Sequence, residues 1–357
     1  MKILHTADLH LGASFGTRLN AREASLRREE LLSSLLRLLR FAEEEGCAAV
    51  IIAGDLFDTE AAAAALAPTV FSLIGQHSDM DFYYLIGNHE GAAGLPQSPP
   101  KNLHIFGDKF DYFRKGNTVF FGKRDLHPSD FDNIHLQYSD FNILIAHGAW
   151  AEGYATSADL PLGLLASKGI DYLALGHYHA YEARRIDRRG TAVYCGCPEG
   201  RGFDETGRKG AVLIDTEGTP SHRFVPLAKR TLHRITADIS DAKSLAEVLL
   251  ICEAALQAAA PEDLVRLSTV GRRKWLPPVH PETLLHHFNG RFYHFEAEDG
   301  SEAAPCVEKL RKESSLRGAF IRLIEADTGL SEDERNRILS LGLAAIGNTL
   351  GGEDTWS

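Results

Sequence analysis

The chain has 357 residues, 44% hydrophobic and 24% charged, enough for one large domain with one or two smaller pieces and a buried core, which excludes a disordered chain and a repeat array. Its net charge of -11 excludes loose, sequence-blind attachment to nucleic acid, because such binding is dominated by phosphate neutralisation; any polyanion must be held locally. No apolar run approaches the ~18 residues that would span a bilayer. Met1 and Lys2 lead directly into "ILHTADLH" without a signal-peptide pattern, so the expected location is cytoplasmic. The five cysteines are odd in number and scattered, and "CGC" at 195 to 197 lacks zinc spacing, so they read as reduced structural thiols.

In chain order, the first 230 residues alternate short apolar runs with helical stretches. "KILHTA", "AAVIIA", "FYYLI", "NILIA" and "DYLAL" are continuous and β-rich, as in strands covered on both faces. A helix is expected around 22 to 45, and another after Thr59, an N-cap before "EAAAAALA". Strand-helix-strand order implies a layered α/β domain. From about 180, "YEARRID", "TAVYCG", "KGAVLID" and "SHRFVPL" read as consecutive antiparallel strands of a second sheet. Residues 231–300 form a compact α+β unit, with "LHRITADI", a helix around 242 to 259, "LVRLSTV", a short helix after Pro281 and "RFYHFEAE". Residues 301–357 turn helical, with "SEDE" at 331 to 334 as a capping box.

Each of the five strongest strands ends in a side chain suited to metal binding or acid-base work. "ADLHLG" supplies Asp8 and His10, "AGDLFD" Asp55 and Asp58, "IGNHE" Asn88 and His89, "AHG" His147, and "GHYH" His177 and His179. Ligands of open α/β sheets gather outside the carboxyl ends of the strands, so these positions are expected in one cleft. The count suits two metals. One takes Asp8, His10 and His179, the other Asn88, His147 and His177, and Asp55 bridges them through its two oxygens. Mixed imidazole, carboxylate and amide ligation favours Mn, Fe or Zn over Mg or Ca. A metal pair ~3.5–4 Å apart is used for in-line displacement at phosphorus.

"DLH", "GDLFD", "GNHE", "HG" and "GHYH", in this order, resemble the calcineurin-like metallophosphoesterases. "MKILHTADLHLG" with "GDLFD" looks, more narrowly, like the SbcD-type nucleases of DNA double-strand-break repair. The resemblance implies a four-layer α/β sandwich, two β-sheets flanked by helices, over 1–230, a small α+β capping domain over 231–300, and a C-terminal helical segment over 301–357. It implies a two-metal phosphodiesterase, an exonuclease hydrolysing DNA, with His89 as the catalytic histidine and Asp8, His10, Asp55, Asn88, His147, His177 and His179 as metal ligands. Mn is the expected metal, with Fe, Zn and Mg as alternatives. An SbcC-like coiled-coil ATPase is the implied partner, docked on "FIRLIEA" and "ILSLGLAAIG"; a homodimer is left open. Where family members often carry a "YPGS"-like segment, this chain has "YCGCPEGRGFDETGRKG", which leaves small or cyclic nucleotides, phosphoproteins, or a scaffold role in an ATPase complex as other readings.

Several residues have plainer readings. His5 lies inside the first strand and reads as a core histidine, and His286 and His287 as ordinary helix residues. Asp58 reads as a residue that orients a ligand histidine or its loop. Arg184, Arg185, Arg188, Arg189, Arg201, Arg208 and Lys209 interleave with acids as a solvated face, with a phosphate-contacting rim as the alternative. "GRRKW" at 271 to 275 joins cations to a tryptophan, as a loop or as a backbone-and-base contact.

Overall fold

The computed structural model describes residues 1–15, 19–91, 95–151, 160–273, 277–303 and 310–350. They divide into two compact units, Met1–His233 with Pro261–Leu264, and Arg234–Ala260 with Val265–Ser357.

The first unit opens with β1 (Lys2–Thr6), α1 (Ala21–Glu44), β2 (Cys47–Ala53), α2 (Glu60–Gln76) and β3 (Asp81–Leu85). Asn20 and Glu23 close a capping box at the start of α1, and the Thr59 side chain accepts the Ala62 N–H at the start of α2, which satisfies backbone donors that have no partner inside the helix. β4 (Leu103–Phe106), β5 (Asp111–Lys115), β6 (Thr118–Gly122) and β7 (Phe141–His147) follow, with a 3-10 turn at Pro128–Asn133. A two-residue ladder joins β8 (Trp150–Ala151) to β9 (Leu160–Pro161), and α3 (Leu162–Leu165) leads to β10 (Tyr172–Gly176). The unit ends with β11 (Glu182–Arg185), β12 (Thr191–Tyr194), β13 (Gly210–Asp215) and β14 (Ser221–Pro226).

These strands make two six-stranded sheets, in the orders β14-β13-β1-β2-β3-β4 and β11-β12-β10-β7-β6-β5. The run β1-β2-β3-β4 of the first sheet and β12-β10-β7-β6 of the second are parallel; antiparallel strands close both edges of the second sheet and the β13–β14 edge of the first. Period-2 alternation sends one set of side chains to each face. Leu4, Val50 and Ile52 pack under α1 and α2, while Ile3, Ala49, Ile51, Ile143 and Ile145 meet between the sheets. Leu144 and Ala146 face the other way, onto Phe131, Leu162 and Leu165. The result is a four-layer α/β sandwich whose four central strands per sheet are buried on both sides.

Two sequence-based expectations need correction. The four runs after residue 180 do not form one sheet. β11 and β12 extend the second sheet, with β12 parallel to β10, whereas the hairpin β13–β14 returns to the first sheet beside β1. An antiparallel pair carries the same local pattern whichever edge it joins, and the partner of β13 lies about two hundred residues earlier. β4, β5 and β6 are strands as well, outside the runs that the sequence pattern marks.

The second unit holds a three-stranded sheet, β15 (Leu232–Asp238), β16 (Leu264–Val270) and β18 (His294–Asp299), with α4 (Leu245–Ala255) and α5 (Pro281–His287). β17 (Arg272–Arg273) pairs with β19 (Glu302–Ala303). Its core gathers Val248, Cys252, Val265, Leu267, Leu284 and Phe288. Helices Leu316–Ala326 and Glu332–Leu350 pack on each other through Ile321, Leu339 and Leu343, with Leu323 and Leu341 outward. Ser331 and Glu334 form the expected capping box. Cys47, Cys195, Cys197 and Cys252 are buried free thiols. Cys306, Lys274 and Trp275 lie outside the described residues. Among the described residues no helix is long and apolar enough to cross a membrane.

Candidate metal centre

β1, β2 and β3 of one sheet and β7 and β10 of the other end at the same edge of the sandwich, and the loops that leave them bring all the candidate donors together. The backbone there is unusual. Asp8, His10, Asp55 and His177 have φ of 52°, 45°, 48° and 105°, left-handed values that non-glycine residues rarely adopt and that cost of order 1–3 kcal/mol each. Glycine allows the close approaches between these loops. A Cβ on Gly87 would fall 2.0 Å from Asp55 Oδ1, and one on Gly54 would fall 2.0 Å from His147 Nδ1.

The Asp8 carboxylate is buried, and both its oxygens accept the His177 N–H at 3.0 Å. Asp55 Oδ2 lies 3.7 Å from His10 Nε2 and 3.4 Å from His147 Nε2. Its Oδ1 accepts the His89 N–H at 3.1 Å. His147 Nδ1 donates to Ala53 O at 2.9 Å, and its Nε2 sits 2.9 Å from Asn88 Oδ1. His10 Nε2 and His179 Nε2 are 3.2 Å apart. The His177 ring packs 5.5 Å from that of His147. His89 is exposed, its ring edge-on to His10 at 4.9 Å, and its Nδ1 donates to Asp58 O at 3.1 Å. Asp58 Oδ1 is 3.1 Å from His10 Nδ1.

The sequence-predicted donors thus lie in one cluster. Among the described residues, groups whose donor atoms lie within 4.8 Å of one another are Asp8, His10 and His179; Asp8, Asp55 and His147; and His10, Asp58 and His89. A further group, His179, Cys197 and Glu205, adds a carboxylate that sequence reasoning missed: Glu205 Oε1 sits 2.6 Å from His179 Nδ1. Arg201 and Lys209, grouped with a basic hairpin face, also reach this place; Arg201 donates to Glu205 and Asp58, and the buried Lys209 donates to His179 O at 2.6 Å. Glu90 ties two of the loops by accepting the Phe57 and Gly87 N–H groups at 2.7 and 2.9 Å. His5 stands apart, buried between the sheets, with Nδ1 2.9 Å from the Tyr172 hydroxyl.

Proton affinities at the site are pulled in opposite directions, a mark of functional clefts. Burial raises the Asp8 carboxyl to about 7 against the pull of His147 and His179. Burial also acts on Asp55, but the hydrogen bond and charge of His147 bring it down to about 2. Burial opposes the charged form of His147, yet Asp55 and Asp8 lift it to about 9. Burial, assisted by the charge of Arg201, lowers His10 to about 3. Burial works against the Glu205 carboxylate too, but His179 and Arg201 hold it far below the usual range.

Residues 1–181 match the model of the calcineurin-like phosphoesterase family, half of the chain, and the chain belongs to that family. The family uses a dinuclear metal site, and the donor groups above are its candidate ligands. Among individual relatives, the chain is similar to the uncharacterized metallophosphoesterase YhaO of Bacillus subtilis, 25% identical over 93% of this chain and 86% of that protein. It is also similar to the SbcD component of the nuclease SbcCD of Escherichia coli, 25% identical over 60% of this chain and 65% of that one. The DNA double-strand break repair protein Mre11 of Halobacterium salinarum is 26% identical over 60% of this chain and 56% of its own length. A solved structure, TT1561 of Thermus thermophilus, superposes with a TM-score of 0.39 at 12% identity, over 62% of this chain and 98% of that one, too loosely to add to the topology above.

Proposed function

We propose that the chain is a two-cation phosphodiesterase that hydrolyses DNA, an SbcD-like exonuclease acting in the cytoplasm. The observation that carries the reading is the placement of Asp55 Oδ2 between His10 Nε2 and His147 Nε2, at 3.7 and 3.4 Å. A single carboxylate between two imidazoles drawn from different sheets is what a shared ligand of two ions requires. The donor chemistry fits divalent cations: buried imidazole nitrogens and carboxylate oxygens converge, and the two Nε2 atoms at 3.2 Å leave at most one shared proton unless a cation joins them. Asp8, His10 and His179 would hold one ion, Asn88, His147 and His177 the other, and Asp55 both. Mn suits this set best, then Fe or Zn, with Mg less favoured. When bound, such a pair supplies Lewis-acid stabilisation of charge at phosphorus and acidifies water near neutral pH.

The chain's own residues do the rest. His89 donates Nδ1–H to Asp58 O, so its Nε2 is the nitrogen available to a substrate, and with the ring in its doubly protonated form the Nε2–H proton passes to the leaving oxygen, leaving the neutral Nδ1–H tautomer. The His177 N–H holds Asp8 in place, and the Ala53 carbonyl fixes the His147 tautomer so that Nε2 faces the donors. In this reading residues 1–230 are catalytic, 231–300 form a cap that positions DNA, and the helices of 301–357 dock an SbcC-like coiled-coil ATPase. The DNA component is supported by relatives named as a DNA double-strand break repair protein and as a nuclease subunit. The net charge of -11 favours, as a second reading, a phosphodiesterase for small or cyclic nucleotides. The deciding experiment strips the protein of metal and assays linear duplex DNA, single-stranded DNA, a cyclic nucleotide and an aryl phosphodiester, with Mn, Mg and Zn added back in turn. Degradation of DNA but not of the cyclic nucleotide is expected; the reverse pattern would remove the nuclease reading.

A further inference from the structure

Behind His10 and His179 lies a layer of charge built from residues far apart in the chain. Asp58 Oδ1 is 3.1 Å from His10 Nδ1, and Glu205 Oε1 is 2.6 Å from His179 Nδ1. One guanidinium joins the two carboxylates. Arg201 Nη1 donates to Asp58 Oδ1 at 3.1 Å, while Nη2 and Nε donate to Glu205 Oε1 at 2.9 and 3.2 Å. The Arg201 main-chain N–H donates to the other Glu205 oxygen at 2.7 Å.

The backbone carrying this side chain is itself anchored. Glu199, fully buried as a side chain, pairs with Arg27 at 3.2 Å and with Arg37 at 2.6 Å, and Arg27 Nη2 donates to Gly200 O at 2.5 Å. Arg201 therefore projects from a segment pinned to α1. On the far side, Lys209 Nζ holds the His179 carbonyl.

The arrangement sets the His179 tautomer and leaves Asp58 as the carboxylate facing His10. Arg201 Nη2 also lies 3.2 Å from His179 Nδ1, but a guanidinium has no acceptor and Glu205 Oε1 is nearer, at 2.6 Å, so Glu205 takes the Nδ1 proton. Asp58 Oδ1 approaches His10 Nδ1 to 3.1 Å as an ion pair, without the alignment of a hydrogen bond. With Nδ1 facing a carboxylate, each ring presents Nε2 forward, and those are the two atoms 3.2 Å apart. With a side-chain exposure of 23% and these three nitrogens engaged, Arg201 faces inward rather than toward substrate.

We propose that Arg201 is a positioning residue, a clamp that orients His10 and His179 through Asp58 and Glu205 so that both offer Nε2 to one divalent cation. The proposal rests on the two-cation reading above. It makes a division between the two ions: the ion held by Asp8, His10 and His179 depends on Arg201, and the one held by Asn88, His147 and His177 does not. The fork geometry of arginine is essential, because a lysine keeps the charge but cannot span both carboxylates.

The test titrates metal-stripped wild type, Arg201→Lys and Glu205→Gln with Mn by calorimetry, with melting curves of the metal-free proteins alongside. Wild type is expected to take up two ions. In both variants one of the two affinities should fall ~10–100-fold, the size typical for loss of a partner behind a metal-binding histidine, while the other stays unchanged. At saturating Mn the KM for an aryl phosphodiester should match wild type. Two unchanged Mn affinities in Arg201→Lys would overturn the clamp. A raised KM with unchanged Mn affinities would also overturn it and make Arg201 a phosphate contact. Failure of the underlying reading looks different, since wild type itself would then bind fewer than two ions. If Arg201→Lys does not fold, Glu205→Gln decides the outcome alone.

Discussion

The main-chain N–H of His89 donates to Oδ1 of Asp55 at 3.1 Å, so the residue proposed to act on the leaving group also fixes one oxygen of the proposed bridging carboxylate. The other oxygen, Oδ2, is left facing His10 and His147. Replacing Asp55 by alanine should therefore disturb both metal sites and not one. Metal content after dialysis, measured by plasma mass spectrometry, should drop from two ions toward none. Retention of both ions with full activity would remove the bridging assignment.

Because the link runs through the His89 backbone, its side chain can be changed without releasing Asp55. His89→Asn should keep both metals and near-normal substrate binding yet lose ~10²–10⁴-fold in turnover on DNA, the usual worth of general acid catalysis. The loss should be smaller on an aryl phosphodiester, whose leaving group needs less protonation. His89 also lies in a donor group with His10 and Asp58, so an emptied metal site in His89→Asn would make it a ligand.

Tyr178 sits between the two histidines that follow β10 and is 46% exposed. It stands edge-on to the buried Tyr194 at 4.9 Å, next to Trp150, over which the Arg184 guanidinium lies at 5.6 Å. An aromatic face beside a phosphodiester site is suited to stacking a base, worth ~1–3 kcal/mol. Tyr178→Ala should raise KM for single-stranded DNA about tenfold and leave an aryl phosphodiester unaffected, with Tyr178→Phe close to wild type. Equal effects on both substrates would mean that the change distorts the neighbouring ligands instead.

Glu30, buried on α1, gathers three cations, Arg27 Nη1 and Arg230 Nη2 each at 2.6 Å and the half-exposed Lys229 Nζ at 2.9 Å. Burial pushes its carboxyl up, but Arg230, Lys229 and Arg27 outweigh this and hold it at about 2, below its ordinary 4.5. A depressed folded value means that the stabilisation is complete above about 4.5 and is lost as the pH falls through about 2. Glu30→Gln should cost about 3 kcal/mol at pH 7, since it leaves buried cations underpaired. Thermal melts of chelator-treated protein should show the gap between wild type and variant closing between pH 5 and pH 2. A gap that is the same at pH 7 and pH 2 would rule out the carboxylate charge as its source.

The ligand candidates could be read from the sequence because each sits one to four residues beyond a continuous apolar run, and such runs mark buried strands whose carboxyl ends converge. Of the layer behind them, only Asp58 could. Glu205 lies in "RGFDETGRKG", which has the composition of a surface turn, and nothing in its spacing points to His179. Arg201 and Lys209 look like their neighbours Arg184 and Arg208 until the fold turns them inward. The sheet order was hidden for a related reason: the partner of β1 is set by packing across the whole unit and not by local periodicity.

β1 lies between β2 and β13, with Lys2 opposite Asp215 on one side and Ile3 opposite Ala49 on the other. β1 therefore gains its second neighbour only after some two hundred further residues have been made. At roughly 5–20 residues per second that interval is on the order of 10–40 s. During synthesis the nascent chain carries an open, apolar strand edge, a surface prone to pairing with other chains. It also lacks Arg201 and Glu205 until almost the same moment, so the layer behind His10 and His179 and the protected edge should be completed together.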